Sequence, residues 1–255
     1  MLKRIALCMM VAAAVALPAA AQTVDEIIAK NTEARGGEAK LRAVKSLRFT
    51  GKVEVGPGIS APTTMVIKRP DMVRMEFTVQ GMTAIQAYDG KDAWGVMPFQ
   101  GKKDPEPMSA DDKKDIEDQG DIDGPLVDYK SKGNTVEYLG KDKVEGSDAW
   151  KLKVTKKNGI VETSYIDVDS GLEVKTQRIA KIRGNDTEVI STYSDFRTVE
   201  GLVIPFSIEQ GIAGSPQKQK ITFEKVEINP TLADEQFHMP APAPAKPTDK
   251  PGSER

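Results

Sequence analysis

Side chains that commonly catalyse reactions or bind metals are scarce in this 255-residue chain, which has one histidine, His238, and one cysteine, Cys8. His238 stands between two apolar residues, and the H-E-x-x-H motif of zinc proteases is absent. Ser215 follows a glycine but lacks the G-x-S-x-G motif of serine hydrolases. The sequence therefore predicts no catalytic residue, no metal site and no cofactor.

The acidic segment 111–123 is the second place where side chains could do chemistry. The sequence D-Q-G-D-I-D-G, residues 118–124, is similar in composition to a calcium-binding loop. Aligning the last glycine with the sixth loop position places Gln119 at the first position and Lys130 at the twelfth, where an EF-hand needs acids. The run is more typical of a solvated helix face. An enzyme that uses Asp121 and Asp123 stays as an alternative.

The first 21 residues have the pattern of a secretory signal peptide. Lys3 and Arg4 precede an apolar run over residues 5–17, and an Ala-Ala-Ala site predicts cleavage after Ala21. The run is too short to span a bilayer. Cys8 lies inside it, whereas a lipid anchor would need its cysteine at the cleavage site. We therefore expect a soluble protein in a bacterial periplasm.

The composition is that of an ordinary globular protein, with 39% hydrophobic and 29% charged residues. The net charge is −2. Because neither the net charge nor the distribution of lysine and arginine indicates a basic face, the sequence argues against nucleic acid as a partner.

The spacing of apolar residues predicts a helical start followed by strands. Thr23 and Glu26 form a capping box before a helix that ends at residues 36–37, and a second helical turn covers residues 39–44. From residue 46 the apolar period is two. Turn residues then recur about every 8–15 residues, as expected for an antiparallel meander. In the second half they are Gly140, Glu145-Gly146, Asn158-Gly159, Ser170-Gly171, Gly184-Asn185, Glu200-Gly201 and Gly214-Ser215.

This pattern predicts a single domain over residues 22–239, with a helical and acidic insertion at 104–133 in which Ser109 caps a helix. Residues 240–255, rich in Pro, Ala and Lys, form a disordered tail. Because eight or more antiparallel strands must curl, we expect a mainly β fold with α (α+β). Its curved antiparallel sheet forms an unclosed barrel with the concave face covered by helices. Pro205 inside a strand indicates an edge or a bulge.

Apolar residues in the first half of the chain are the candidates for a ligand site. Methionine is flexible and polarizable, which suits a surface that accommodates variable apolar partners. The predicted lining of a hydrophobic cavity is Val73, Met75, Phe77, Val79, Trp94, Met97, Phe99 and Met108. The alternative is that these side chains simply fill the core of the curved sheet.

The stretch from GPLVDYK to LEVKTQ, residues 124–177, resembles the family of outer-membrane lipoprotein-sorting proteins related to the carrier LolA. Four further stretches agree with it, namely residues 27–53, 87–101, 193–209 and 223–240. The resemblance implies an unclosed antiparallel barrel with a helical lid and a hydrophobic cavity that shields acyl chains. It also implies a lipid or lipoprotein acyl chain as ligand, an inner-membrane donor and an outer-membrane acceptor.

Three functions follow from these observations. The first, which we favour, is a periplasmic carrier or chaperone that binds lipoprotein acyl chains or another lipid for transport toward the outer membrane. The second is a lipid-sensing or protein-interaction module of the same fold that carries nothing. The third is an enzyme built on the acidic segment, and we expect that the protein is not an enzyme.

Overall fold

The computed structural model describes residues 23–56, 58–182 and 184–241; the predicted signal peptide and residues 242–255 of the predicted tail lie outside this part. The described helices are α1 (Val24–Ala34), α2 (Glu38–Ala43) and α3 (Ala110–Asp118). The strands are β1 (Ser46–Gly56), β2 (Ile59–Lys68), β3 (Met72–Val79), β4 (Met82–Tyr88), β5 (Ala93–Met97), β6 (Lys102–Pro107), β7 (Thr135–Val144), β8 (Ser147–Thr155), β9 (Val161–Asp167), β10 (Glu173–Ile182), β11 (Asn185–Val199), β12 (Leu202–Ile212) and β13 (Lys218–Ile228).

The described strands form one 13-stranded antiparallel sheet. Its order is β6-β5-β4-β3-β2-β1-β13-β12-β11-β10-β9-β8-β7, so each strand lies beside its sequence neighbour except where β1 pairs with β13. Strands β6 and β7 are its two edges. The sheet does not close on itself, which confirms the predicted unclosed, mainly β architecture.

The helices begin where the sequence predicts. The Thr23 hydroxyl accepts a hydrogen bond from the Glu26 amide at 3.2 Å, and the Glu26 carboxylate accepts one from the Thr23 amide at 2.9 Å. The Ser109 hydroxyl accepts the Asp112 amide at 3.1 Å and so caps α3. These side chains satisfy amides that the first helical turn leaves without partners. No helix in the described part is long and apolar enough to cross a membrane.

Pro205 lies in the part of β12 that extends beyond β13. It pairs with Phe196 of β11, whereas the pairing of β12 with β13 begins only at Ser207 and Thr222. Proline has no backbone N–H to donate to a neighbouring strand, and this costs nothing at Pro205 because β13 does not pair with β12 there. The prediction of a local edge at Pro205 therefore agrees with the structure.

The predicted turn at Gly140 is wrong. Gly140 lies inside β7, where the pairing with β8 shifts register between Tyr138 and Lys141. A glycine in a strand marks a bulge as readily as a turn, and its positive φ of 98° suits the bulge found here.

All three helices cover one face of the sheet, which we call the concave face. The main core cluster packs Leu41 of α2 and Ile116 of α3 against residues such as Phe49 and Val73 of the sheet. A second cluster packs Ile27 of α1 against β8 and β9. We call β1–β6 the first arm of the sheet and β7–β13 the second arm. The two clusters place the helices over opposite arms.

The C-terminal segment, residues 230–238, covers part of the opposite, convex face. Phe237 is 0% exposed and packs with Leu232 against Val66 and Met72. The chain therefore buries apolar side chains on both faces of the first arm, which explains why apolar residues occur on both sides of several strands there.

Candidate functional site

Four of the predicted cavity residues share the concave face of β3. Strand alternation places Val73, Met75, Phe77 and Val79 on one side, and β2 continues this side because Met65 pairs with Met75. Val73 is 0% exposed inside the main cluster, whereas the three residues that follow it on this face are only half-buried. The row thus runs from tightly packed core to an accessible end.

Met97, Phe99 and Met108 lie on the same side. The Phe99 ring stacks on Phe77, with the centroids 5.9 Å apart and the planes 13° from parallel. A Cβ added to Gly95 would come within 3.2 Å of Met108 Cε, so Met108 covers the concave side of β5. Met97 is two residues from Gly95 and faces the same way.

Trp94 points to the convex face. Its indole N–H donates a hydrogen bond of 2.7 Å to the Phe237 carbonyl, and Arg74 lies over its ring. Because the C-terminal segment buries it on the side away from the helices, we leave Trp94 out of the proposed site.

The apolar face continues across the sheet through residues that sequence reasoning missed. Ile208 of β12 and Ile221 of β13 pair with each other, and both pack half-buried against the main cluster with Met65. The alternation in residues 202–209 was the available signal. Alternation within one segment could not show that these strands lie near β2 and β3. In the sheet, only β1 separates β2 from β13.

Helix α3 lies across the concave side and connects the two arms of the sheet. Ile116 is its one buried residue. Asp115 pairs with Arg178 of β10 at 2.9 Å, and Asp118 pairs with Lys156 beside β9 at 2.7 Å. Since α3 also packs against β3, β4 and β5, it acts as a strap held on the second arm by ion pairs.

The segment after α3 is held by ion pairs as well. Asp123 accepts two hydrogen bonds of 2.6 Å from Arg69, and Asp121 accepts one from Lys132 at 2.6 Å. Burial acts to raise the pKa of Asp123, but the Arg69 guanidinium outweighs it and holds that pKa below its usual range. Both carboxylates proposed for an enzyme thus have structural partners.

A partly open cavity of about 210 Å³ lies between α1 and the second arm. Its polar lining is Asn31, Arg35, Glu173 and Tyr193, and its apolar lining is Pro125, Leu126, Leu172, Phe196, Val203 and Pro205. The Arg35 guanidinium donates to the Asp123 carbonyl at 2.7 Å. This cavity does not include the predicted residues of β3 and β5.

The groups in this cavity titrate away from their ordinary ranges. Burial, followed by the nearby Glu162 carboxylate, raises the pKa of Glu173 to about 7. Burial also raises the pKa of the Tyr193 hydroxyl and lowers the pKa of Arg35. A carboxyl group with this pKa is largely protonated in mildly acidic solution, so the cavity can present a hydrogen-bond donor instead of a charge.

No cluster of three or more histidine, cysteine or acidic side chains in the described residues could hold a metal ion. His238 is exposed, and its Nδ1 lies 3.4 Å from the Asp89 carboxylate. The arrangement of the site is therefore that of an apolar face with one polar cavity beside it.

No protein-family model matches the sequence, and no curated protein matches it. The structure is similar to a LolA superfamily protein from Nitrosomonas europaea, with TM-score 0.57 and 14% identity over 86% of this chain and 98% of that chain. It is also similar to a candidate outer membrane lipoprotein-sorting protein domain from Vibrio parahaemolyticus, with TM-score 0.57 and 12% identity over 84% and 97% of the two chains.

A DUF1329 family protein from Desulfovibrio piger has TM-score 0.59 and 12% identity, again over 84% of this chain and 97% of that chain. At these identities the similarity is one of fold. The chain has the fold of the LolA superfamily, as the sequence resemblance implied.

Proposed function

We propose that this protein binds the acyl chain of a lipoprotein or another lipid on its concave face and carries it through the periplasm toward the outer membrane. The observation that carries the proposal is the row of apolar side chains that runs from the buried Val73, which shares a core cluster with Ile116 of α3, to the half-buried Met75, Phe77 and Val79. Its fold, shared with a candidate outer membrane lipoprotein-sorting domain, supports the same reading.

The side chains along this face can make room for a guest. Met65, Met75 and Met108 are half-buried against the main cluster, and methionine changes rotamer at little cost. Each acyl methylene buried contributes about 0.8 kcal/mol. A chain of about a dozen methylenes thus gains roughly 10 kcal/mol before ordering costs, without any dedicated polar contact.

The α3 strap is suited to admit such a chain. It buries little apolar surface of its own, since Ile116 is its one buried residue, and it is held on the second arm by the Asp115–Arg178 and Asp118–Lys156 pairs. When it lifts, Asp115 and Asp118 regain water, and the buried Lys156 keeps its ion pair with Glu162. A bound acyl chain would replace the Ile116 contact.

Carriage requires a donor at the inner membrane and an acceptor at the outer membrane. A protein of this fold that only senses lipid or binds a partner would keep its ligand. Transfer of a fluorescent lipoprotein from the purified complex to outer-membrane vesicles distinguishes the two, because a sensing module would retain the fluorescence. Native mass spectrometry of the purified protein would identify the ligand class.

Phe77→Ala tests the binding face. Phe77 is half-buried and contacts the exposed Phe99, so we expect a loss of stability of about 1–2 kcal/mol, below the 3–5 kcal/mol typical of a fully buried phenylalanine. Affinity for a fluorescent fatty acid should fall. Denaturant unfolding and probe displacement measure the two quantities.

Two variants serve as controls. Thr78→Ala, on the opposite face of the same strand, loses a 2.8 Å hydrogen bond to Thr83 and about 1 kcal/mol, with unchanged probe affinity. Phe206→Ala, in the buried core, should cost about 3–5 kcal/mol. If the unmutated protein binds no fatty acid, or if Phe77→Ala binds it normally, the concave face is not the binding site.

A further inference from the structure

One end of the sheet displays an exposed apolar side chain at every turn. Six turns lie at this end, and a large apolar residue that is 36–52% exposed lies in or directly beside each of them. These residues are Ile59, Met82, Phe99, Val161, Ile182 and Ile212. The five turns at the opposite end carry no exposed large apolar residue within the described part of the chain.

The topology brings the six turns together. In an antiparallel meander alternate turns lie at the same end, so the turns β1–β2, β3–β4, β5–β6, β8–β9, β10–β11 and β12–β13 form one rim. An open cavity of about 750 Å³ joins three of them, with Gly58, Ile182 and Ile212 in its lining. We call this end of the sheet the apolar rim.

The turn sequences at the two ends differ in their acidic residues. The sequences of the six rim turns contain no acidic residue, whereas each of the five opposite turns contains at least one. Exposed lysines lie in or near the rim turns, among them Lys102, Lys157 and Lys218. The rim turns themselves therefore contain no carboxylate that would repel an anionic surface.

The rim lysines are available to an anionic partner. Lys102 lies 3.1 Å from Glu106 and Lys218 lies 3.6 Å from Glu209, and all four side chains are more than a third exposed. Exposed pairs of this kind contribute little to stability. A phosphate group can therefore replace the carboxylate at small cost.

We propose that the apolar rim docks on the surface of a bilayer that contains anionic phospholipids. Apolar side chains on separate turns can insert between headgroups while the lysines beside them contact phosphates, which is the combination that holds interfacial proteins on membranes. This inference goes beyond lipid binding on the concave face, because docking through the rim needs no bound acyl chain. It places the accessible end of the concave face against the membrane.

Flotation with vesicles tests the docking surface on protein purified without bound lipid. We expect binding to vesicles of equal parts phosphatidylglycerol and phosphatidylcholine, and about ten-fold weaker binding to phosphatidylcholine alone or at high salt. Ile59→Ser with Ile212→Ser should weaken binding about ten-fold. Lys157→Glu with Lys218→Glu should remove the preference for anionic lipid.

Matched controls lie elsewhere on the surface. Leu139→Ser changes an equally exposed apolar residue on the edge strand β7, and Lys91→Glu reverses a lysine in a turn at the opposite end; both should bind vesicles normally. Unaltered binding by the rim variants, equal binding to both kinds of vesicle, or crosslinking to a membrane protein without any vesicle binding would overturn the proposal.

Fatty-acid binding by the same variants separates the two proposals. The rim variants should bind the probe normally, because none of the changed residues belongs to the row of β3. An unmutated protein that binds anionic vesicles but no fatty acid would leave docking intact and refute the proposed function.

Discussion

Glu173 shows how a single residue can couple this fold to pH. Its carboxyl group lines the cavity with Arg35 and Tyr193, and burial raises its pKa to about 7 from the usual 4.5. The folded state therefore prefers the protonated acid. Because the folded state binds this proton more tightly than the unfolded state does, protonation of Glu173 stabilises the protein. The contribution is complete at pH values below the pKa in the unfolded state, and it is lost as pH rises through the pKa in the folded state.

We predict that Glu173→Gln stabilises the protein at pH 8 relative to the unmutated protein, by an amount that disappears near pH 4. A shift from 4.5 to about 7 corresponds to roughly 3 kcal/mol as an upper bound. Denaturant unfolding of both proteins at pH 4, 6 and 8 measures the difference. The prediction fails if the two stability curves run parallel.

Tyr193→Phe is the matched control at this site. It removes a hydroxyl whose pKa is raised by burial far above neutral pH, so it changes no ionisation between pH 4 and pH 8. Its effect on stability should be the same at every pH in that range, whatever its size.

Among the secondary-structure elements, α3 depends on charges that lie far away in sequence. Lys156, in the turn between β8 and β9, is buried and contacts both Asp118 of α3 and Glu162 of β9, at 2.7 and 2.8 Å. Burial raises the pKa of Glu162 despite this lysine. For Lys156 burial acts to lower the pKa, but the two carboxylates outweigh it and the pKa is raised.

We predict that Lys156→Met costs about 3–5 kcal/mol, because it leaves Glu162 buried without a cation. Combining Lys156→Met with Glu162→Gln should recover most of the lost free energy of unfolding, because the second change removes the uncompensated charge of Glu162. Denaturant unfolding of the single and double variants measures the coupling. Additive losses would show that the two groups do not act as a pair.

The strap should also respond to this change. Hydrogen exchange of the α3 amides should speed up in Lys156→Met, whereas exchange in β1 and β2 should change only in proportion to global stability. Equal acceleration everywhere would mean that the pair stabilises the whole fold and not the strap.

At the scale of the whole molecule, the sheet needs a cover on both faces of its first arm. The helices cover the concave face, and Phe237 and Leu232 cover Val66 and Met72 on the convex face. Leu232 and Phe237 therefore belong to the packed part of the chain, and the domain boundary at residue 239 stays a prediction.

We predict that Phe237→Ala lowers stability by about 3–5 kcal/mol, because its ring is fully buried. Deleting residues 241–255 should shift the melting temperature by less than about 4 °C, which corresponds to less than roughly 1–2 kcal/mol for a chain of this size. Met239→Ala, at an exposed neighbour in the same segment, is the control for the point substitution. Scanning calorimetry of the three proteins measures these shifts.

The sequence by itself determined the local features of this protein. The period of two identified the strands and the side of β3 on which Val73, Met75 and Phe77 lie. Capping residues located the helix starts, and most turn residues marked the turns. Each of these features depends on residues within a few positions of one another, so a local pattern is enough to predict it.

Only the tertiary structure decided which partners meet. Trp94, on the convex face, is buried because Phe237, 143 positions away, covers it, and α3 is held to the second arm because Asp115 meets Arg178, 63 positions away. Glu173 has a raised pKa because elements distant in sequence enclose it. Alternation tells which side chains share a face, but whether that face is core, cavity or surface depends on segments that fold onto it from elsewhere in the chain.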